Sequence, residues 1–122
     1  MNRVHAPAAP EDLEVAERLV RGLARRLGSR LLGATLFGSR ARGMAWSGSD
    51  YDIFLLIDRE DPAARRIVYD VAYDYFPMDF NFHIYTPDRL EQALRIGSPV
   101  LRDVEREGVP LWPATAASKP IG

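Results

Sequence analysis

The chain is most constrained by what lies between two apolar runs. Leu31–Phe37 ends on Gly38-Ser39, and about ten residues later Asp50-Tyr51-Asp52 opens the run Ile53–Ile57. Both runs are short and apolar enough to be buried strands. Successive side chains of a strand point to opposite faces, so Asp50 and Asp52 share a face and Tyr51 looks the other way. Two carboxylates about 4 Å apart repel by roughly 4 kcal/mol at an effective dielectric of 20. Solvent, a proton or a cation must offset that. The simplest cation is a hard divalent one such as Mg2+, which takes carboxylate oxygens and commonly keeps a substrate phosphate as a further ligand.

A chain of 122 residues is one domain rather than two, and one this long buries roughly two thirds of its unfolded surface. The net charge of -1 implies no bulk attraction to nucleic acid or to a membrane surface. Lys119 is the only lysine and cysteine is absent, which excludes disulfides, zinc–thiolate sites and a thiol nucleophile. No apolar run has the length of a membrane span and no signal-peptide pattern opens the chain, so a cytoplasmic setting is expected.

Residues 1–10 read as a flexible N-terminal arm, 11–112 as the folded domain and 113–122 as a flexible C-terminal tail. A helix follows Pro10, with apolar residues at helical spacing from Leu13 to Leu27 and Gly28 as its stop. Arg40 to Met44 reads as the start of a short helix, and Pro62 precedes another over about 63–75. Met78 to Tyr85 alternates cleanly, with Phe80, Phe82 and Ile84 on one face and Asp79, Asn81, His83 and Tyr85 on the other. Thr86-Pro87 and Ser98-Pro99 open two more helices, and Val109 to Trp112 forms a short edge strand. Alternating helices and strands predict an α/β (α+β) fold, a mixed sheet flanked by helices.

Asp50 and Asp52 alone read equally well as loop residues, where Asp is at home. Asp79 changes the balance. It starts another strand on that strand's polar face, so side-by-side strands gather three acids at one sheet end, a costly arrangement without a cation. Gly38-Ser39 is a strand-end turn whose backbone N–H groups can face an anion, or an ordinary turn. Arg40 and Arg42 flank it, either as clamps on phosphate oxygens or as solvated charges. Gly38 to Gly43 has P-loop spacing, but Met44-Ala45 stand where Lys-Ser/Thr belongs, which argues against a P-loop. Asn81 and His83 face a substrate or simply bond to neighbours. Trp46 stacks on a base or a partner, or anchors its loop.

Phe37-Gly38-Ser39, then Ser49-Asp50-Tyr51-Asp52, then Met78-Asp79-Phe80 resembles the pattern of the DNA polymerase β-like nucleotidyltransferases. Arg40-Ala41-Arg42-Gly43 and the stretch from Ser98 to Val109 are similar to the small prokaryotic members, the minimal nucleotidyltransferases. The likeness covers roughly residues 30–112. It implies transfer of a nucleoside monophosphate from a nucleoside triphosphate, ATP above all. Asp50, Asp52 and Asp79 would be catalytic and would hold two Mg2+ ions, with Asp79 serving the acceptor hydroxyl. Gly38, Ser39, Arg40, Arg42 and Ser49 would bind the nucleotide and its phosphates. Small members commonly pair with a HEPN-domain ribonuclease toxin, which the nucleotidyltransferase antitoxin adenylylates on a tyrosine. The resemblance therefore implies a HEPN partner, with self-association as a further arrangement and no direct nucleic-acid or membrane contact. Competing functions are a non-catalytic antitoxin that neutralises by contact, and transfer to a small molecule such as an aminoglycoside.

Overall fold

A computed structural model describes residues 8–113; the arm over 1–7 and the tail over 114–122 lie outside the described residues. Four helices, α1 (Pro10–Leu27), α2 (Pro62–Tyr73), α3 (Pro87–Arg95) and α4 (Pro99–Glu107), accompany four strands, β1 (Leu31–Phe37), β2 (Tyr51–Ile57), β3 (Phe80–Tyr85) and β4 (Val109–Trp112). Each helix begins on a proline, whose fixed φ and missing N–H suit the first helical position. The Asp61 side chain caps α2 by accepting from the Ala64 N–H at 2.9 Å. Gly28, with φ +60, ends α1 and leads through a 3-10 turn, Gly28–Arg30, into β1.

The sheet order is β3-β2-β1-β4. β1 runs antiparallel to β2 and to β4, while β2 and β3 are parallel, joined by the α2 crossover. The sheet is mixed, as expected, and β2 is interior. Its odd positions, Tyr51, Ile53, Leu55 and Ile57, pack with Ala16, Leu19, Leu23 and Val68 of α1 and α2. The opposite face is covered less fully: Phe37 and Phe54 pack with Ala93 of α3 and Leu101 of α4. Asp52 lies on this thinner face, because it alternates with Ile53 and shares parity with Phe54.

Three local expectations are corrected. Arg40 to Met44 is no helix. The Ala41, Arg42 and Met44 amides bond back to Gly38 and Ser39 within one turn, and Gly43 lies in the left-handed region at φ +70. The helix expected to reach about residue 75 stops at Tyr73. Asp79 precedes β3 rather than lying in it, joined to β2 only by its carbonyl, which accepts the Tyr51 N–H at 2.9 Å.

A buried ion pair fastens α1 to the sheet. Asp12 is 7% exposed. It accepts from Arg40 Nη1 at 2.7 Å and from the Tyr51 hydroxyl at 3.1 Å. The Arg40 guanidinium also lies 4.2 Å from the centre of the Tyr51 ring, a cation–π contact. Burial is the main cause that pushes the Tyr51 phenol above its ordinary range. At the far end of the sheet Arg30, at the start of β1, bonds Asp58 at 2.8 Å and Asp61 at 3.1 Å. That bond from Arg30 holds the Asp58 carboxyl below the usual carboxylate range.

Two outcomes follow from these pairs. Asp12→Ala leaves a charged guanidinium buried without its carboxylate, so urea unfolding should show a loss of about 3 kcal/mol; a loss below about 0.5 kcal/mol, as at a plain surface site, would contradict the pair's role. A depressed carboxylate stabilises above its unfolded range, near pH 4, and loses that contribution as pH falls through its folded value. The stability advantage of the wild type over Asp58→Asn should therefore hold steady from pH 7 to 5 and shrink below about pH 4. An advantage that grows in acid contradicts the sign.

Candidate active site

The site forms where β1 ends and β2 begins. Antiparallel pairing sets Phe37 opposite Asp52, so the turn at Gly38 closes over the second carboxylate of the Asp-x-Asp pair. Gly38 has φ +80, a region L side chains rarely enter. A Cβ there would also overlap Asp52 Oδ2. Backbone and packing thus both require glycine. The Gly38 carbonyl accepts from the Ala41 and Arg42 amides at 3.0 and 3.2 Å, and the Ser39 carbonyl from Met44 at 3.0 Å. Among the described residues the Ser39 and Arg40 amides donate to no backbone group outside helices and strands. Two N–H groups left over at such a turn are what an anion takes up.

Parallel pairing of β2 with β3 aligns Tyr51 with Phe80 and Asp52 with Asn81. The strands start side by side, so Asp50 and Asp79, each one residue before its strand, stand at the same sheet end. Both are exposed. Asp52 is half-buried and more engaged. Its Oδ1 accepts from Asn81 Nδ2 at 3.1 Å and lies 3.7 Å from His83 Nε2. That His83 nitrogen is buried without a hydrogen-bond partner among the described residues, and the ring meets Phe37 edge-on at 5.0 Å. Asn81 and His83 therefore bear on Asp52, whereas the sequence linked them only to Asp79.

The flanking arginines are engaged within the protein. Besides Asp12, Arg40 donates through Nε and Nη2 to the Ser49 carbonyl at 3.0 and 2.7 Å. It clamps the 38–50 loop rather than standing free for a phosphate. Arg42 Nη1 pairs with both Glu107 oxygens of α4, at 2.9 and 3.1 Å. The Ser49 hydroxyl accepts from the Trp46 amide at 3.1 Å, which folds the loop back on itself. Trp46 is 71% exposed, so it does not anchor the loop by burial. Sequence reasoning missed Asp12: an acid in the first helical turn is ordinary dipole chemistry, and nothing in its spacing points to Arg40.

The donor set suits a hard cation. Carboxylate oxygens at one sheet end are what Mg2+ takes, and it usually completes its shell with water and substrate phosphate. Among the described residues no three His, Cys, Asp or Glu side chains are grouped closely enough to hold an ion alone. The residues therefore fit an ion that arrives with its triphosphate better than a pre-loaded protein cage.

No curated protein matches this sequence at a significant level. Solved structures do. A toxin–antitoxin structure with AMP-PNP is 28% identical, with 79% of this chain and 72% of that chain covered and a TM-score of 0.56. The toxin–antitoxin MntA-HepT is 26% identical, with 81% and 71% covered and a TM-score of 0.50. A Sulfolobus solfataricus protein described as a nucleotidyltransferase, 18% identical with 84% and 80% covered and a TM-score of 0.52, shares the fold. Residues 25–98 match the family described as Polymerase beta, Nucleotidyltransferase, more than half of the 122 residues, and the chain belongs to that family of nucleotidyltransferases.

Proposed function

We propose that this nucleotidyltransferase moves AMP from Mg2+-bound ATP to a hydroxyl of a HEPN-domain toxin, acting as the toxin's antitoxin. The observation that carries the reading is the contact of the Gly38 turn with Asp52 at the sheet end where Asp50 and Asp79 stand. Likeness to toxin–antitoxin structures, one of them with AMP-PNP, supports the choice of nucleotide and partner.

In this reading the Ser39 and Arg40 amides and the Ser39 hydroxyl receive the triphosphate. Asp50 and Asp52 would hold Mg2+, which when bound would supply neutralisation of the charge that builds up on the phosphoryl oxygens. Asn81 holds the Asp52 carboxylate in place, with the His83 ring beside it. Asp79 accepts the proton of the acceptor hydroxyl. That oxygen then bonds to the α-phosphorus, the bond from the α-phosphorus to the bridging oxygen breaks, and pyrophosphate leaves. Arg40 is a positioning residue: through the Ser49 carbonyl it fixes the loop that delivers Asp50 to the strand end.

A second reading, neutralisation of the toxin by contact without turnover, is favoured by one observation. The carboxylates are not grouped closely enough to hold an ion by themselves. A transfer assay separates the two. Purified HEPN partner with α-labelled ATP and Mg2+ should become labelled; EDTA should abolish labelling, and Asp52→Asn should lower it by at least about a hundredfold with the fold intact. Neutralisation of the toxin without label on it would overturn the catalytic reading.

A further inference from the structure

Among the described residues the outer edge of β3 is open. The sheet order ends there. The Asp79 carbonyl bonds to β2, and inward-bonding residues alternate along a parallel ladder. Asn81 and His83 therefore turn their backbone groups to β2, while Phe80, Phe82 and Ile84 turn theirs outward. The Ile84 carbonyl accepts from Arg89 Nη1 at 3.2 Å. Among the described residues the outward groups of Phe80 and Phe82 have no backbone partner. Proteins usually blunt such an edge with Lys, Pro or a bulge, because a bare one is a template for another strand. Phe80–Tyr85 contains no Lys, Arg, Asp or Glu, no proline and no register shift.

Two hollows lie along this edge, adjoin at Tyr69 and Phe82 and together make a groove. The hollow at the β3 start, of about 310 Å3, includes Asp79 and is otherwise apolar and aromatic. Tyr73 and Phe76 are each 77% exposed there and Met78 is 43% exposed. The hollow at the far end, of about 280 Å3, is polar and holds Glu60, Arg65 and Arg89. Both arginines bond the one Glu60 carboxylate, which leaves that end with a surplus positive charge. Among the described residues this stretch therefore runs from Asp79, past aromatic side chains and an unpaired strand edge, to a cationic end. Six strand residues span about 20 Å.

We propose that this groove is the docking site of an extended segment of the acceptor protein, which adds to β3 as a further strand. The segment places its hydroxyl-bearing residue at the Asp79 end, among Tyr73, Phe76 and Met78, and an acidic residue at the Arg65–Arg89 end. Main-chain bonds to Phe80 and Phe82 hold it in register, as in other cases of strand addition. This rests on the reading of Asp79 as the carboxylate that serves the acceptor.

Hydrogen exchange and steady-state kinetics with the purified HEPN partner as probe test it. The Phe80 and Phe82 amides should gain at least tenfold protection in the complex. Tyr73→Asp with Phe76→Asp, both at highly exposed positions, should raise the KM for the acceptor at least tenfold and leave the KM for ATP and the melting temperature unchanged. Arg65→Glu with Arg89→Glu should raise the acceptor KM as well. Unchanged exchange at Phe80 and Phe82, or an acceptor KM within twofold of wild type in the first pair, overturns the proposal. So does protection that appears in the chain alone and grows with its concentration, which would make a second copy the occupant. Failure of the nucleotidyl-transfer reading looks different: the wild type labels no acceptor, and the exchange result still decides the docking site.

Discussion

The antiparallel register of β1 on β2 is the constraint on which the site depends. It sets Phe37 opposite Asp52 and so drops the Gly38 turn onto that carboxylate, where a single added Cβ would collide. Slippage by one residue would turn Asp52 into the core packed by α1 and α2 and expel Ile53 from it. The buried row Tyr51, Ile53, Leu55 and Ile57 forbids this, because each such side chain contributes about 1.5–3 kcal/mol by its burial. The hydrophobic face of β2 thus fixes where its polar face places chemistry.

The loop between the two strands is held by a different kind of force. Arg40 reaches from the turn to Asp12 at the start of α1 and to Ser49 just before Asp50, and stacks on Tyr51. One side chain therefore ties together the helix, the loop and the strand that carry the site. A buried ion pair of this kind is costly to desolvate and adds little net stability over an apolar substitute. Its effect is on geometry: it allows one arrangement of the loop in which both ends of the arginine are satisfied.

Much of this was legible in the chain itself. The limits of β1 and β2, Leu31–Phe37 and Tyr51–Ile57, could be read from apolar runs closed by Gly38 and opened by Asp50. The alternation of Phe80, Phe82 and Ile84 gave the packed face of β3. The short helix after Ser39 was misread, because Arg, Ala and Met favour helix while Gly38 and Gly43, both at positive φ, confine the segment to one turn. From the sequence Arg40 reads as a phosphate clamp or a solvated charge, and Asp12 carries no signal beyond its place in the first helical turn. Their pairing across 28 residues leaves no local signal, since it is fixed by tertiary packing. The asymmetry between a well-covered face and a thinly covered one, which leaves Asp52 accessible, likewise emerges only when the helices are placed.

The central proposal is spatial: a divalent ion and a triphosphate would sit between the Gly38 turn and the carboxylates at the starts of β2 and β3. Paramagnetic broadening by Mn2+ in the presence of a non-hydrolysable ATP analogue measures this directly. The account predicts that the amides of Gly38, Ser39, Asp50, Asp52 and Asp79 broaden first, and only when the nucleotide is present. Broadening centred instead on the acids at the opposite end of the sheet, Asp58, Glu60 and Asp61, would contradict it.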